Sequence, residues 1–196
     1  MAAPLDFYFD FSSPYGYLAS TQIDELARRH GRDVAWHPFL LGAAFKVTGQ
    51  TPLVEQPLRG AYHAHDFARS ARLLGVPFHL PSTFPFFGLA ASRAFYWLDG
   101  GEKAKQLAKA VFYAAFGEGR DVTPVPVVAA LAKNLGIEGL EQGIELPETK
   151  AKLRDATDQA IAAGIFGSPY FIVDGEAFWG HDRLAQVERW LATGGW

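Results

Sequence analysis

A chain of 196 residues with 49% hydrophobic and 20% charged residues has the balance of a folded globular protein with one good-sized core, and not that of a disordered chain. A net charge of -3 and the lack of any Lys/Arg-rich run leave no basic surface for phosphates, so nucleic acid is not an expected partner. The cysteine count is zero, which excludes disulfides, thiolate metal sites, cysteine nucleophiles and intrinsic dithiol redox chemistry on any scaffold.

The N-terminus, Met1-Ala2-Ala3-Pro4, has no basic region followed by an apolar stretch, and no apolar run approaches the roughly 18 residues of a membrane span. The expectation is a soluble cytoplasmic protein. Leu5 to Asp10 is a short apolar and aromatic run of strand length. Ser12 or Ser13 followed by Pro14 then reads as a helix start, because a hydroxyl caps orphan N–H groups and proline suits the first helical position. That helix is expected to run to His30 and stop at Gly31. Val34 to Phe39 is a second strand, which makes the opening a parallel βαβ unit.

Residues 42–60 carry Gly42, Gly49, Pro52, Pro57 and Gly60 with little periodicity, and are expected to form a loop. Helices follow over 61–75, 88–99, 102–116, 124–135 and 147–163, most of them ending at glycine. Tyr170 to Val173 and Glu176 to Trp179 flank Asp174-Gly175, the signature of a two-strand hairpin. An amphipathic helix over 182–192 closes the chain, with Leu184, Val187, Trp190 and Leu191 on one face. No internal repeat, Walker sequence, dinucleotide fingerprint or Gly-x-Ser-x-Gly elbow is present. His63 and His65 are spaced i, i+2, which points them to different sides of a helix, so no metal is expected.

The order βαβ, helices, ββα is an α/β arrangement: a thioredoxin-like fold with a large all-helical insertion, placed as in disulfide oxidoreductases of the DsbA kind. Residues 1–41 and 165–196 would form the thioredoxin-like domain and 42–164 the insertion domain. Within this frame Phe7-Tyr8-Phe9-Asp10-Phe11-Ser12-Ser13-Pro14-Tyr15-Gly16-Tyr17-Leu18-Ala19 resembles the opening motif of the 2-hydroxychromene-2-carboxylate isomerase family, relatives of the kappa-class glutathione transferases. Gly164-Ile165-Phe166-Gly167-Ser168-Pro169-Tyr170-Phe171, with Phe178-Trp179-Gly180-His181-Asp182-Arg183-Leu184, resembles its closing motif. The two blocks stand in the family's order, separated by a helical stretch of suitable length.

Local chemistry leaves two readings of Ser13 open. It caps a helix, or it stands where a redox relative carries cysteine and donates a hydrogen bond to a thiolate brought by a ligand. The resemblance implies the second, with glutathione as the cofactor. It also implies a cis Ser168-Pro169 bond that presents backbone to glutathione, where the bland reading is a proline starting a strand. Trp179, Gly180, His181 and Asp182 would complete the glutathione site, although Asp182 is also a good helix cap. Lys46 is similar to the family's substrate-carboxylate lysine, and Gln50, Thr51 and Pro52 fall at its substrate loop, without the asparagine common there. Phe84-Pro85-Phe86-Phe87 and Phe95-Tyr96-Trp97 read as core or as the wall of an apolar pocket. The implied activity is a glutathione-dependent isomerisation of a small aromatic or electrophilic substrate by a homodimer. The alternatives are a kappa-like transferase and a non-catalytic thioredoxin-fold binding module.

Overall fold

The computed structural model describes residues 3–196; Met1 and Ala2, which the expected thioredoxin-like range includes, lie outside the described residues. Four strands, β1 Leu5–Phe9, β2 Val34–Pro38, β3 Tyr170–Val173 and β4 Glu176–Trp179, form one sheet in the order β2-β1-β3-β4. β1 runs parallel to β2 and antiparallel to β3, and β3 is antiparallel to β4. This is the expected thioredoxin-like sheet. The hairpin turn is Asp174-Gly175, both at positive φ (52° and 88°), as a two-residue turn matching strand twist requires.

Side chains alternate across β1, so Leu5, Phe7 and Phe9 are fully buried on one face. Register sets Phe7 opposite Trp36 and Phe171. The rings meet at 5.0 Å edge-on and 5.5 Å stacked, the pairing that fastens neighbouring strands. On the other face Phe39, Ile165 and Tyr170 form a smaller cluster with Ala44 and Ala160.

The expected first helix is two helices, α1 Pro14–Ser20 and α2 Ile23–Arg29. Ser20 and Thr21 turn their hydroxyls back onto the Tyr17 and Leu18 carbonyls, each at 2.7 Å, and Gln22 Nε2 also reaches Leu18. Such back-bonding competes with the regular ladder and breaks it here. The expected loop over 42–60 holds a helix, α3 Leu41–Thr48, and a 3₁₀ turn at Leu53–Glu55. α3 has no capping side chain of its own, but its Leu41 N–H donates to Asp10 Oδ2 at 2.8 Å. The tie that starts the helix is therefore 31 positions away in sequence.

The remaining helices are α4 Arg59–Leu74, α5 Leu89–Trp97, α6 Glu102–Phe112, α7 Val125–Asn134, a short α8 Leu140–Gly143 that the sequence pattern did not signal, α9 Pro147–Ala162 and α10 Leu184–Thr193. A π turn, Tyr113–Gly117, prolongs α6, and a 3₁₀ turn, His181–Arg183, precedes α10. No helix among the described residues is long and apolar enough to cross a membrane. Helices and sheet share one core: Phe9 meets Phe112 of α6 at 5.5 Å and Phe95 of α5 at 6.2 Å.

Candidate functional site

β1 delivers the chain to Asp10, and the turn that follows sets Ser13 in extended conformation as the N-cap of α1. Ser13 Oγ accepts from the Gly16 N–H at 3.0 Å and donates to the Ser168 carbonyl oxygen at 2.8 Å. Ser168 Oγ in turn accepts from the Asp10 N–H at 2.9 Å. The two motifs, 155 positions apart, are thus cross-tied by their serines. The Ser168-Pro169 bond is cis, as the resemblance implies. Ser13 is 7% exposed, and its hydroxyl has a single proton, held by the Ser168 carbonyl. Space at Gly16 is tight: a Cβ there would lie 3.1 Å from both Ser13 Cβ and Ser168 Oγ and would press on both.

Asp10 is a site residue that sequence reasoning passed over. It is buried, and its carboxylate accepts from Ser12 N–H and Ser12 Oγ, both at 2.7 Å, and from Leu41 N–H. Burial pushes its carboxyl above the usual range, while the three donors pull it back. A buried-looking position just past a strand end, Asp10 after Phe9 and before Phe11, was the signal available in the sequence.

In the closing motif, Trp179 packs against Phe166 at 4.8 Å and covers Gly167, yet stays 50% exposed. Gly180 has φ 109°, open to glycine and not to other residues, and its N–H donates to the Pro169 carbonyl at 3.1 Å. His181 lies flat on the Tyr15 ring, 4.6 Å away at 10°. Asp182 makes no capping bond: α10 starts after Arg183 without a side-chain cap, and Asp182 has only a loose 3.7 Å pairing with Arg183. Its carboxylate is exposed and available.

The expected substrate residues lie apart from this network. Lys46 is exposed in the last turn of α3, a helix and not the loop expected, with no ion pair among the described residues. It sits five residues, about 7.5 Å of helix rise, from the tie between Leu41 and Asp10. Gln50 and Thr51 are exposed and Pro52 half-buried; the Thr51 and Pro52 carbonyls accept from Gln56 and Glu55. None of the four is hydrogen-bonded to Ser13, Ser168 or His181 among the described residues. Of the aromatic runs, Phe86 and Phe95 are core, whereas Phe87 is 81% exposed. The next residue, Gly88, rests on Phe11, where a Cβ would fall 2.5 Å from Phe11 Cβ, and the Phe87 ring faces Gly42 of α3. An exposed aromatic ring therefore borders the Ser13 motif.

A second group also escaped the sequence. Tyr15 donates to Asp66 Oδ2 of α4 at 2.6 Å and lies 3.3 Å from His63 Nδ1, and Arg69 pairs with Asp66. Burial, then the bond to Asp66, pushes the Tyr15 hydroxyl far above its usual value. Burial works against ionised Asp66, but Tyr15 and Arg69 outweigh it and hold the carboxyl low. His181 is pushed down by burial, partly offset by Asp182 and Asp66.

A family model described as a DSBA-like thioredoxin domain matches residues 4–192. The chain is similar to the 2-hydroxychromene-2-carboxylate isomerase of Sphingobium xenophagum, at 28% identity over 97% of this chain and 99% of that one. It is also similar to glutathione S-transferase kappa 2 of Caenorhabditis elegans, at 27% identity over 95% of this chain and 90% of the relative. A solved 2-hydroxychromene-2-carboxylate isomerase superposes with a TM-score of 0.87, at 26% identity, covering 96% of this chain and 94% of that chain. The resemblance carried by the two motifs thus extends along the whole chain.

Proposed function

From a chain that belongs to the DSBA-like thioredoxin domain family and has no cysteine, we propose a glutathione-dependent isomerase. Its reaction would interconvert 2-hydroxychromene-2-carboxylate and trans-o-hydroxybenzylidenepyruvate. The observation that carries the reading is the Ser13 hydroxyl, held at the N-cap of α1 and bonded across to the carbonyl before cis Pro169. The residues available suit the cofactor: a hydroxyl donor where a thiolate would sit, an Asp182 carboxylate that makes no capping bond and is free for an ammonium, and an exposed Trp179 in the same segment. When bound, glutathione supplies a soft thiolate able to add reversibly to a conjugated carbon and leave again.

The protein's part is to hold and to select. Ser13 turns its O–H from the Ser168 carbonyl to the sulfur, which favours the charged form and lowers the thiol pKa. Ser168 and Pro169 present backbone along the tripeptide, Trp179, Gly180 and His181 shape its far side, and Asp182 accepts from its α-ammonium. Lys46 meets the substrate carboxylate, with Gln50, Thr51 and Pro52 at the entrance, and Phe87 offers a stacking wall to an aromatic ring. A homodimer working in the cytoplasm belongs to the same proposal.

The test is turnover of the chromene followed by its ultraviolet change, with and without glutathione. Turnover that needs glutathione and falls about 100-fold or more in Ser13→Ala, the usual cost of losing one donor to a developing anion, supports the isomerase; glutathione-independent turnover refutes it. The similarity to kappa transferases favours a second reading, conjugation of other electrophiles. Glutathione consumed in proportion to product would identify that one.

A further inference from the structure

Three separate parts of the chain converge on one ring. Tyr15, two residues beyond Ser13, carries His181 flat against its face. Its hydroxyl is held by Asp66, and Asp66 is held by Arg69, whose Nη2 also donates to Tyr62 Oη at 3.0 Å. Phe67 packs edge-on against the same ring at 4.7 Å. The hydroxyl bond and the Phe67 contact restrict the tilt of the ring, and His181 rests on its face. His181 lies between Gly180 and Asp182, so the stack sets the place of the segment running from Trp179 to Asp182.

We infer that Asp66 is a positioning residue: by holding the Tyr15 hydroxyl it fixes the platform under His181, and thereby places the Asp182 carboxylate for its ligand. The inference rests on the glutathione reading above for the identity of that ligand, and not for the mechanical coupling. The charged and titratable groups acting on His181 are Tyr15 from α1, Asp66 from α4 and Asp182 on its own segment, with His63 beside Tyr15, Arg69 on Asp66 and Arg183 beside Asp182. Glu188 of α10 is engaged by Arg29 and His30 instead. Asp66 acts on His181 both through the Tyr15 ring and through its own charge.

Two measurements decide it. In Asp66→Ala, which leaves the Tyr15 hydroxyl without its acceptor, the KM for glutathione should rise about fivefold, a coupling of ordinary size, with a smaller change in kcat, and Asp66→Asn, whose amide oxygen still accepts, should recover part of the loss. The His181 ring resonance, assigned by its disappearance in His181→Gln, should shift in Tyr15→Phe, which keeps the Asp66 charge and removes only the hydroxyl through which Asp66 holds the ring. Tyr15→Phe should reproduce the KM effect and serves if Asp66→Ala does not fold. Unchanged KM in both Asp66→Ala and Tyr15→Phe, or an unmoved His181 resonance in Tyr15→Phe, overturns the inference. If calorimetry finds no glutathione affinity in the unsubstituted protein, the functional reading falls, and the His181 resonance in Tyr15→Phe alone decides the coupling.

Discussion

Ser13 has one proton to give and two places to give it. In the structure the Ser168 carbonyl takes it, 2.8 Å away, so any anion bound at the N-cap competes with the peptide group before Pro169. Small errors in the spacing of the two serines should therefore register in function before stability. Gly16 controls that spacing, since a Cβ would press on Ser13 and Ser168 together. Gly16→Ala should lower glutathione-dependent turnover about tenfold by displacing the hydroxyl. Its melting temperature should shift little, because alanine's helix preference, about 1 kcal/mol over glycine, offsets the crowding. A thermal melt beside a rate assay separates the two effects, and a large loss of stability with intact turnover would contradict the argument. Asp10 presents the opposite case. All three of its partners are donors, so an amide in its place must point its NH₂ at one of them. Asp10→Asn should cost about 1–3 kcal/mol in urea unfolding, the penalty for a donor left facing a donor.

Between elements, the α1 to α4 contact has a sign that pH reveals. Asp66 is held below its usual value near 3.8, so its contribution to stability is complete above that value and is lost as pH falls through the lower folded value. The stability gap between the protein and Asp66→Asn should widen somewhat as His181 protonates beside the carboxylate in mild acid, and close as the pH is taken below about 3.8. A gap that persists below that pH would contradict this. The same contact shows what the sequence displays and what it hides. The Asp174-Gly175 hairpin and the glycine stops at Gly75 and Gly136, both at positive φ, were readable because each is a local conformational demand. Ser13 and Ser168 were readable as candidates because each sits in a compact motif, and the structure bonds the two to each other. Tyr15 with Asp66 was not, since the bond spans 51 positions and neither residue is unusual in its own surroundings. α3 was hidden for the same reason: glycines and prolines averaged over 42–60 suggested a loop, while the helix start is held from outside by Asp10. The break between α1 and α2 depends on which way three polar side chains turn, and composition carries no such direction.

Taken whole, the molecule joins its sheet and its helical stretch through a continuous set of aromatic rings. Phe9 is the junction: fully buried, it touches Phe7 at 5.0 Å and Trp36 at 5.3 Å within the sheet, Phe11 at 5.2 Å ahead of the site, and Phe112 of α6 at 5.5 Å. A core shared in this way leaves little to stabilise either part alone, because a half that separated would expose the rings of the other. Phe9→Ala removes a whole ring from the junction and should cost about 3–5 kcal/mol. The loss should appear as one transition moved to lower denaturant, with near-ultraviolet signals from the tryptophans and far-ultraviolet signals from the helices still coincident. Two separated transitions would show instead that the helical stretch folds on its own, and that the candidate site between Ser13, Asp66 and Asp182 is assembled by docking two independent parts.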